Sequence, residues 1–172
     1  GAGLLDETVQ YETISYEGFA PHRVPVIIEC LTDNKNRTAA DIRVLFRKGQ
    51  LGSVGSVSWM FERMGVIEAT IARAGIDIEE AAIEAGAQNV APLESTEVGA
   101  GETGARFFCA ATDLDSATKA LTAAGWVLTQ AELSFVAKSN VDVDDTQRRE
   151  VSEFLNAVDD CDDVHRIYTA LK

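Results

Sequence analysis

The first half of the chain alternates between the two-residue period of strands and the longer period of helices. Residues 9–16 alternate weakly and are rich in β-formers, and residues 24–31 place every second apolar side chain on one face, so both segments predict strands. The apolar side chains that follow recur at helical spacing up to about Lys48, and Gly49 suits the left-handed residue that ends a helix. The candidate N-caps of this helix are Asn34, Asn36 and Thr38.

Residues 57–72 predict a β-hairpin. Apolar and polar side chains alternate over 57–61, as in a half-buried strand, a second strand-like segment spans 66–72, and Arg63-Met64-Gly65 predicts the turn between them. Beyond Gly75 the pattern predicts, in chain order, a helix over 77–86, a loop over 94–103, a strand over 106–111, a helix capped by Asp113, a strand over 126–137, a helix from Asp145 and a strand over 164–171.

The order of these elements predicts an α+β protein made of two small ferredoxin-like-type α/β sandwiches, one inserted into the other. Residues 24–72 give β-α-β-β and residues 145–171 give α-β, which together form the ferredoxin-like order β-α-β-β-α-β. A sheet with one apolar face has to bury it against helices, and the intervening segment has enough elements for a second sandwich. We expect a discontinuous domain of residues 1–73 and 141–172, interrupted by an inserted domain over 74–140.

Composition narrows the class of protein. The chain has 172 residues, of which 46% are apolar and 25% are charged, as in ordinary globular proteins. No stretch approaches the ~18 apolar residues that a membrane span needs, so we expect no membrane partner. The net charge of −13 repels phosphate backbones, which argues against a nucleic-acid binder that needs no further basic segment.

The charge is unevenly distributed along the chain. Residues 1–73 carry eight basic and nine acidic side chains, whereas residues 74–172 carry seven and nineteen. Residues 33–48 hold five cations against two carboxylates, and we call this stretch the basic segment. It is the candidate nucleic-acid-binding face, and its alternative is a solvated helix surface. The five candidate residues are Lys35, Arg37, Arg43, Arg47 and Lys48.

No group of residues has the spacing of a catalytic or metal site. The three cysteines are widely separated, which predicts buried thiols in a reducing compartment. The Gly49-x-x-Gly52-x-x-Gly55 loop follows a helix and precedes a strand, the reverse of a phosphate-binding loop, and predicts a flexible connection. The acidic runs at 142–145 and 159–163 predict helix caps and solvated turns. We therefore expect no enzyme activity, catalytic residue, metal or cofactor.

Two aromatic residues near the basic segment have two possible roles. Trp59 and Phe61 could stack on nucleic-acid bases. Their alternation with polar neighbours instead favours burial of both side chains in a core.

Several motifs resemble the YebC/PmpR family. The most specific is ECLTDN-x-NRT at residues 29–38. The chain departs from the family at His22, Arg23 and Pro25, where members often have glycines and a small residue. The other matching segments, which extend over essentially the whole chain, are 16–19, 26–34, 51–52, 55–61, 81–87 and 162–165 with Tyr168.

The resemblance implies proteins of three domains: a basic N-terminal helical domain and two acidic α+β domains, the last inserted in the middle one. Gly1-Ala2-Gly3 resembles the end of the N-terminal domain, so we expect that domain to be absent from this chain. Members are described as probable transcriptional regulators that bind DNA, and others act at the ribosome, including a mitochondrial translational activator of cytochrome c oxidase. No enzymatic activity or cofactor is implied, and we expect a cytoplasmic location.

Three functional hypotheses follow. The first is a non-enzymatic regulator of gene expression that binds DNA mainly through a basic N-terminal domain, with the basic segment as an auxiliary phosphate-contacting face. The second is a ribosome-associated translation factor that binds RNA. The third is an acidic protein–protein interaction module whose residues 74–140 engage a basic protein partner. This chain alone is expected to bind duplex DNA weakly, because its net charge opposes the contact.

Overall fold

The computed structural model describes residues 9–172, which form two compact units. The described part of the first unit comprises residues 9–62 and 136–172, and the second unit comprises residues 63–135. The expected insertion over 74–140 thus differs from the observed second unit at both of its ends. Residues 1–8, which contain the segment resembling the end of an N-terminal domain, lie outside the described residues.

The described residues form two four-stranded sheets and four α-helices, which confirms the predicted α+β class. In chain order the elements are β1 (Glu12–Ala20), β2 (Val24–Thr32), α1 (Lys35–Leu45), β3 (Gln50–Leu51), β4 (Phe61–Ile71), α2 (Ile78–Ala85), β5 (Asn89–Pro92), β6 (Thr103–Ala110), α3 (Leu114–Ala123), β7 (Val127–Ala137), α4 (Asp145–Asp159) and β8 (Val164–Thr169).

The first unit is a four-stranded sheet in the order β3-β1-β2-β8, whose neighbouring strands are all antiparallel. The alternating apolar side chains of β2 enter a core with side chains from α1 and α4, because a strand turns successive residues to opposite faces. Phe46, directly after α1, meets Phe154 of α4 edge-on, with ring centroids 5.2 Å apart. The two helices therefore cover one face of this sheet.

The second unit has a sheet in the order β5-β6-β4-β7. β4 and β5 each pair antiparallel with β6. Ile67, Phe107 and the small side chains of α2 and α3 form its core, and Phe107 packs edge-on against Trp126 at 5.2 Å between centroids. Across residues 9–172, no helix is both long and apolar enough to cross a membrane.

Helix boundaries follow from side-chain capping. Asn34 caps α1 by accepting a hydrogen bond from the Arg37 N–H at 3.1 Å, and Asp77 caps α2, which ends at the left-handed Gly86. Asp144 and Gln147 form a reciprocal capping box at the start of α4. Asp113 precedes α3 but makes no side-chain cap bond, so its predicted capping role is wrong.

The predicted hairpin over 57–72 is also wrong. Residues 58–60 form a 3-10 turn, and residues 61–71 form the single strand β4. Gly65 lies within that strand, at a position where a side chain would collide with Cys109 and Leu114. Glycine is therefore needed here for close packing and not for a turn. The segment over 66–72, predicted for the first domain, therefore belongs to the second sheet. The first sheet contains β1 instead.

Candidate nucleic-acid interface

The basic segment folds into α1 and the 3-10 turn Phe46–Lys48 that follows it. Thr38 and Ile42 turn inward and are buried, which leaves the cations on the outer surface. At 1.5 Å per residue, α1 is roughly 16 Å long. This length separates the cations into a pair at the start of the helix and a group of three near its end.

Arg37 is committed to contacts within the protein. Its guanidinium donates to Asp163 at 2.9 Å and to Asp33 at 3.0 Å, and Asp163 also accepts from the Thr38 hydroxyl at 2.8 Å. Hydrogen bonds to the two carboxylates raise the pKa of Arg37. Arg37 therefore joins the start of α1 to the turn before β8, which is a structural contact.

Asp163 has a more specific role than the solvated turn that the sequence predicts. Burial alone would raise the pKa of its carboxyl, but hydrogen bonds from Arg37 and Thr38 outweigh that effect and lower it. The ionised carboxylate is thus the form that the fold stabilises. Asp142 and Asp144 behave as the sequence predicts for solvated turns and helix caps. Asp142 pairs with Lys172 at 3.3 Å on the surface, and Asp144 caps α4.

Lys35 forms an ion pair with Glu12 at 2.7 Å, and both side chains are more than half exposed. Such a surface pair contributes at most about 1 kcal/mol and weakens with salt. A phosphate could therefore replace Glu12 as the partner of Lys35 at little cost.

Arg43, Arg47 and Lys48 form a group that we call the helix-end cations. All three are exposed, and none lies within ion-pair distance of a carboxylate among residues 9–172. They lie at the carboxyl end of α1, where the helix dipole favours positive charge. These are the candidate residues that the structure leaves available for a phosphate.

A groove of about 630 Å³ runs between α1 and α4 beside these cations. Arg47 and Lys48 line one wall, and Glu150 and Glu153 line the other. The groove is therefore electrostatically mixed, and a polyanion would meet the cations on their outer side.

The glycine-containing loop after β3 is held in place by Glu17 on β1. The Glu17 carboxylate, on a side chain that is only 7% exposed, accepts hydrogen bonds from the backbone N–H groups of Gly55, Val57 and Ser58 at 2.8, 3.0 and 2.6 Å. Its own carbonyl accepts from Gly52 at 2.9 Å. Residues 52–60, which we call the tryptophan loop, are thus fastened to the sheet, whereas the sequence predicts a flexible connection.

The same contacts set the ionisation of Glu17. Burial would raise the pKa of this carboxyl, but the three backbone donors together hold it below the usual value for a glutamate. An anion stabilised by several N–H groups is the arrangement of a backbone nest, here occupied by the protein's own side chain.

Trp59 and Phe61 have opposite environments. Phe61 is buried, as the alternation predicts, whereas Trp59 is 65% exposed, so the prediction of a core role for Trp59 is wrong. The indole N–H of Trp59 donates to the Ser56 carbonyl at 3.0 Å, which fixes the ring to its own loop. Val54, at 89% exposed, is the second apolar side chain that this loop presents to solvent.

The turn between β1 and β2 contains a cation that the sequence reasoning missed. His22 and Arg23 both have positive φ angles, of 64° and 57°, a conformation that glycine adopts more readily than residues with a side chain. The Arg23 guanidinium lies 5.0 Å from the centre of the Phe19 ring. His22 meets Glu150 of α4 at 2.8 Å. No periodicity marks Arg23, because turns carry none.

The three thiols are free, and two of them, Cys30 and Cys109, are buried. Burial is the first cause that raises the pKa of Cys30, to about 12, which makes this thiol a poor nucleophile at neutral pH. Within the described part of the chain, no three histidine, cysteine or acidic side chains are grouped as a metal site would require.

The fold and this surface define an acidic α+β protein of two units, in which three of the five candidate cations lie at the end of one helix without a carboxylate partner among the described residues. Residues 11–171 match the family described as "TACO1/YebC second and third domain". The chain belongs to this TACO1/YebC family, which confirms the resemblance drawn from its motifs.

Individual proteins that are similar to this chain support the same family assignment. A "Probable transcriptional regulatory protein" of Pseudomonas syringae pv. syringae is 54% identical over 99% of this chain and 70% of its own length. A similarly named protein of Bdellovibrio bacteriovorus is 49% identical, covering 99% and 71%. The crystal structure of a conserved hypothetical protein from Aquifex aeolicus superposes with a TM-score of 0.81 at 31% identity, over 96% of this chain and 67% of that one. That likeness supports the fold described above.

Proposed function

We propose that this chain regulates gene expression by binding nucleic acid, and that the helix-end cations contact its phosphates. The names of the relatives support a regulatory role. The observation that carries the site is the absence, among the described residues, of any carboxylate within ion-pair distance of Arg43, Arg47 and Lys48. A cation without an internal partner is available to release counterions from a phosphate backbone.

Local charge makes this surface different from the rest of the chain. Residues 42–61 contain the three helix-end cations and no acidic side chain, although the whole chain carries −13. At about 0.15 M salt, charges more than about 8 Å away are largely screened. A nucleic acid at the end of α1 would therefore interact mainly with the outer side of these cations, away from the groove wall that carries Glu150 and Glu153.

The five sequence candidates receive different roles in this proposal. Arg43, Arg47 and Lys48 contact phosphate directly, and Lys35 does so by exchanging its weak pair with Glu12. Arg37 positions α1 through Asp163 and makes no phosphate contact. A basic domain outside this chain would add to the affinity.

The test is a charge-matched comparison of two triple variants. R43Q/R47Q/K48Q removes the helix-end cations, while R73Q/K119Q/K138Q removes three exposed cations elsewhere and gives the same net charge. For a labelled oligonucleotide, the first variant should reduce the slope of log affinity against log salt by about two to three, since each lost contact contributes about 0.7 to 0.9. Equal slopes for the two variants would contradict the proposed site.

RNA is the second candidate target, and the exposed Trp59 favours it. Structured RNA presents unpaired bases that aromatic side chains can stack on, whereas duplex DNA keeps its bases stacked internally. Sedimentation with ribosomal subunits would distinguish a translation factor from a DNA regulator. An acidic module would instead show salt-sensitive binding of a basic protein to the full chain, with no change in the R43Q/R47Q/K48Q variant.

A further inference from the structure

We propose that Trp59 is a stacking platform for an unpaired base of single-stranded nucleic acid, with Arg23 as a phosphate contact on the same face of the first sheet. This inference rests on the proposed function, which it narrows from nucleic acid in general to unpaired strands. It concerns the tryptophan loop rather than the helix-end cations, and the two surfaces can be tested separately.

The platform is held in position before a ligand arrives. Glu17 binds three backbone N–H groups of the tryptophan loop, at 2.8, 3.0 and 2.6 Å. The Trp59 indole is further fixed by its 3.0 Å hydrogen bond to Ser56. Binding therefore has to immobilise little of this loop, which reduces the entropic cost of association.

The indole surface is free to receive a base. Trp59 is 65% exposed, while Trp126 is only 4% exposed and packs against Phe107. No other aromatic ring or cation among residues 9–172 stacks on Trp59. A base stacked on this surface would cover an aromatic side chain that the fold leaves in water.

A cation lies on the same face of the sheet as the loop. Glu17 and Phe19 are two positions apart on β1 and so point to the same face. Glu17 holds the tryptophan loop there, and the Arg23 guanidinium lies 5.0 Å from the centre of the Phe19 ring. Arg23 is exposed and has no carboxylate within ion-pair distance among the described residues. An aromatic surface and a cation on one face of a sheet are the two features that single-stranded nucleic acid binds.

The tryptophan loop itself carries no negative charge, because residues 52–60 contain no acidic side chain. The exposed Glu62 follows two residues after the loop. The nearby Glu17 is buried, and its charge is satisfied by backbone donors. Because a duplex keeps its bases stacked on each other, the exposed indole distinguishes single strands from duplexes.

The experiment uses the full chain with fluorescein-labelled single strands of about twelve nucleotides, oligo(dT) and oligo(U), and a duplex of equal length. At about 0.1 M salt the distant acidic groups are screened. W59A should weaken single-strand binding by about 5- to 100-fold and duplex binding by less than about 2-fold, as expected for the loss of one stacked base. W59F keeps an aromatic face and should retain most of the affinity.

Fluorescence gives an independent readout. Single strands should quench the emission of Trp59, and this quenching should disappear in W59F, where only the buried Trp126 remains. V54A is the matched control, because Val54 is an exposed apolar residue of the same loop. Stacking predicts no change in affinity for V54A. The oligo(dT) and oligo(U) arms show whether DNA or RNA is preferred.

The possible results separate the two proposals. If W59A binds single strands as well as the unchanged chain while R43Q/R47Q/K48Q does not, the stacking platform is overturned and the proposed function stands. If V54A and W59F lose as much affinity as W59A, the loop is an apolar contact of another kind and the inference fails. If the unchanged chain binds none of the probes, both proposals fail.

Discussion

Glu17 shows how a single side chain can fix the conformation of a functional loop. Its carboxylate is buried beside three backbone N–H groups of the tryptophan loop, none of which lies in a strand ladder. A buried donor without an acceptor costs about 1–3 kcal/mol. The loop and the carboxylate therefore stabilise each other, and Trp59 takes its position from this contact.

From this single side chain we predict that the tryptophan loop detaches from β1 at acid pH. The pKa of Glu17 is lowered by folding, so its contribution to stability is complete above the pH at which an unfolded glutamate titrates, about 4.3. It is lost as the pH falls through the lower pKa of the folded state. Trp59 emission should change over this acidic range, together with a fall in the free energy of unfolding.

E17Q is the control for this prediction. At neutral pH it should reduce the free energy of unfolding by about 1–3 kcal/mol, because one amide oxygen replaces a charged acceptor of three hydrogen bonds. Its stability should then fall less steeply with acid than that of the unchanged chain. Equal pH dependence of the two proteins would show that Glu17 does not hold the loop.

The candidate site was only partly predictable from single residues. The charge of Arg43, Arg47 and Lys48 is visible in the sequence, but the commitment of Arg37 to Asp163 joins residues 126 positions apart. Trp59 alternates with its neighbours as a core residue would, yet the 3-10 turn over 58–60 breaks the strand period that this reasoning assumed. Contacts between distant segments decided which side chains are available.

Among the elements, helices were the easiest to predict because their caps are local. Asp77 and Gly86 delimit α2 as expected, and both act through their immediate neighbours. The hairpin predicted over 57–72 failed for the opposite reason. Gly65 resembles a turn residue in the sequence, but it faces Cys109 and Leu114 from other elements.

The contact between α1 and the turn before β8 gives a prediction at the scale of elements. D163A removes the shared acceptor of Arg37 and Thr38, and should reduce the free energy of unfolding by about 1–3 kcal/mol. Each of these side chains loses its hydrogen bond to the carboxylate, while Arg37 keeps Asp33 and Thr38 keeps Thr32 as partners. D162A, at the exposed neighbouring position, should change it by less than about 0.5 kcal/mol. Chemical denaturation measures both values.

This comparison also separates structure from binding. If D163A and D162A are equally stable, Arg37 is not a structural contact and returns to the set of candidate phosphate ligands. If D163A alone is destabilised, the positioning role of Arg37 is supported.

For the whole molecule, the central feature is local positive charge on a chain of net charge −13. The helix-end cations and Arg23 belong to the first unit, and the described residues give none of them a carboxylate partner. Composition alone could show the excess of acid but not which cations remain unpaired. We therefore expect this chain to bind duplexes weakly and to prefer single strands measurably.

The most direct test of this claim is a salt titration of the unchanged chain with single-stranded and duplex oligonucleotides of equal length. The four cations without a carboxylate partner, together with Lys35, predict a slope of log affinity against log salt between about −3 and −4 for the single strand, at about 0.7 per contact, with weaker binding of the duplex at every salt concentration. A slope near zero, or tighter binding of the duplex, would contradict the account.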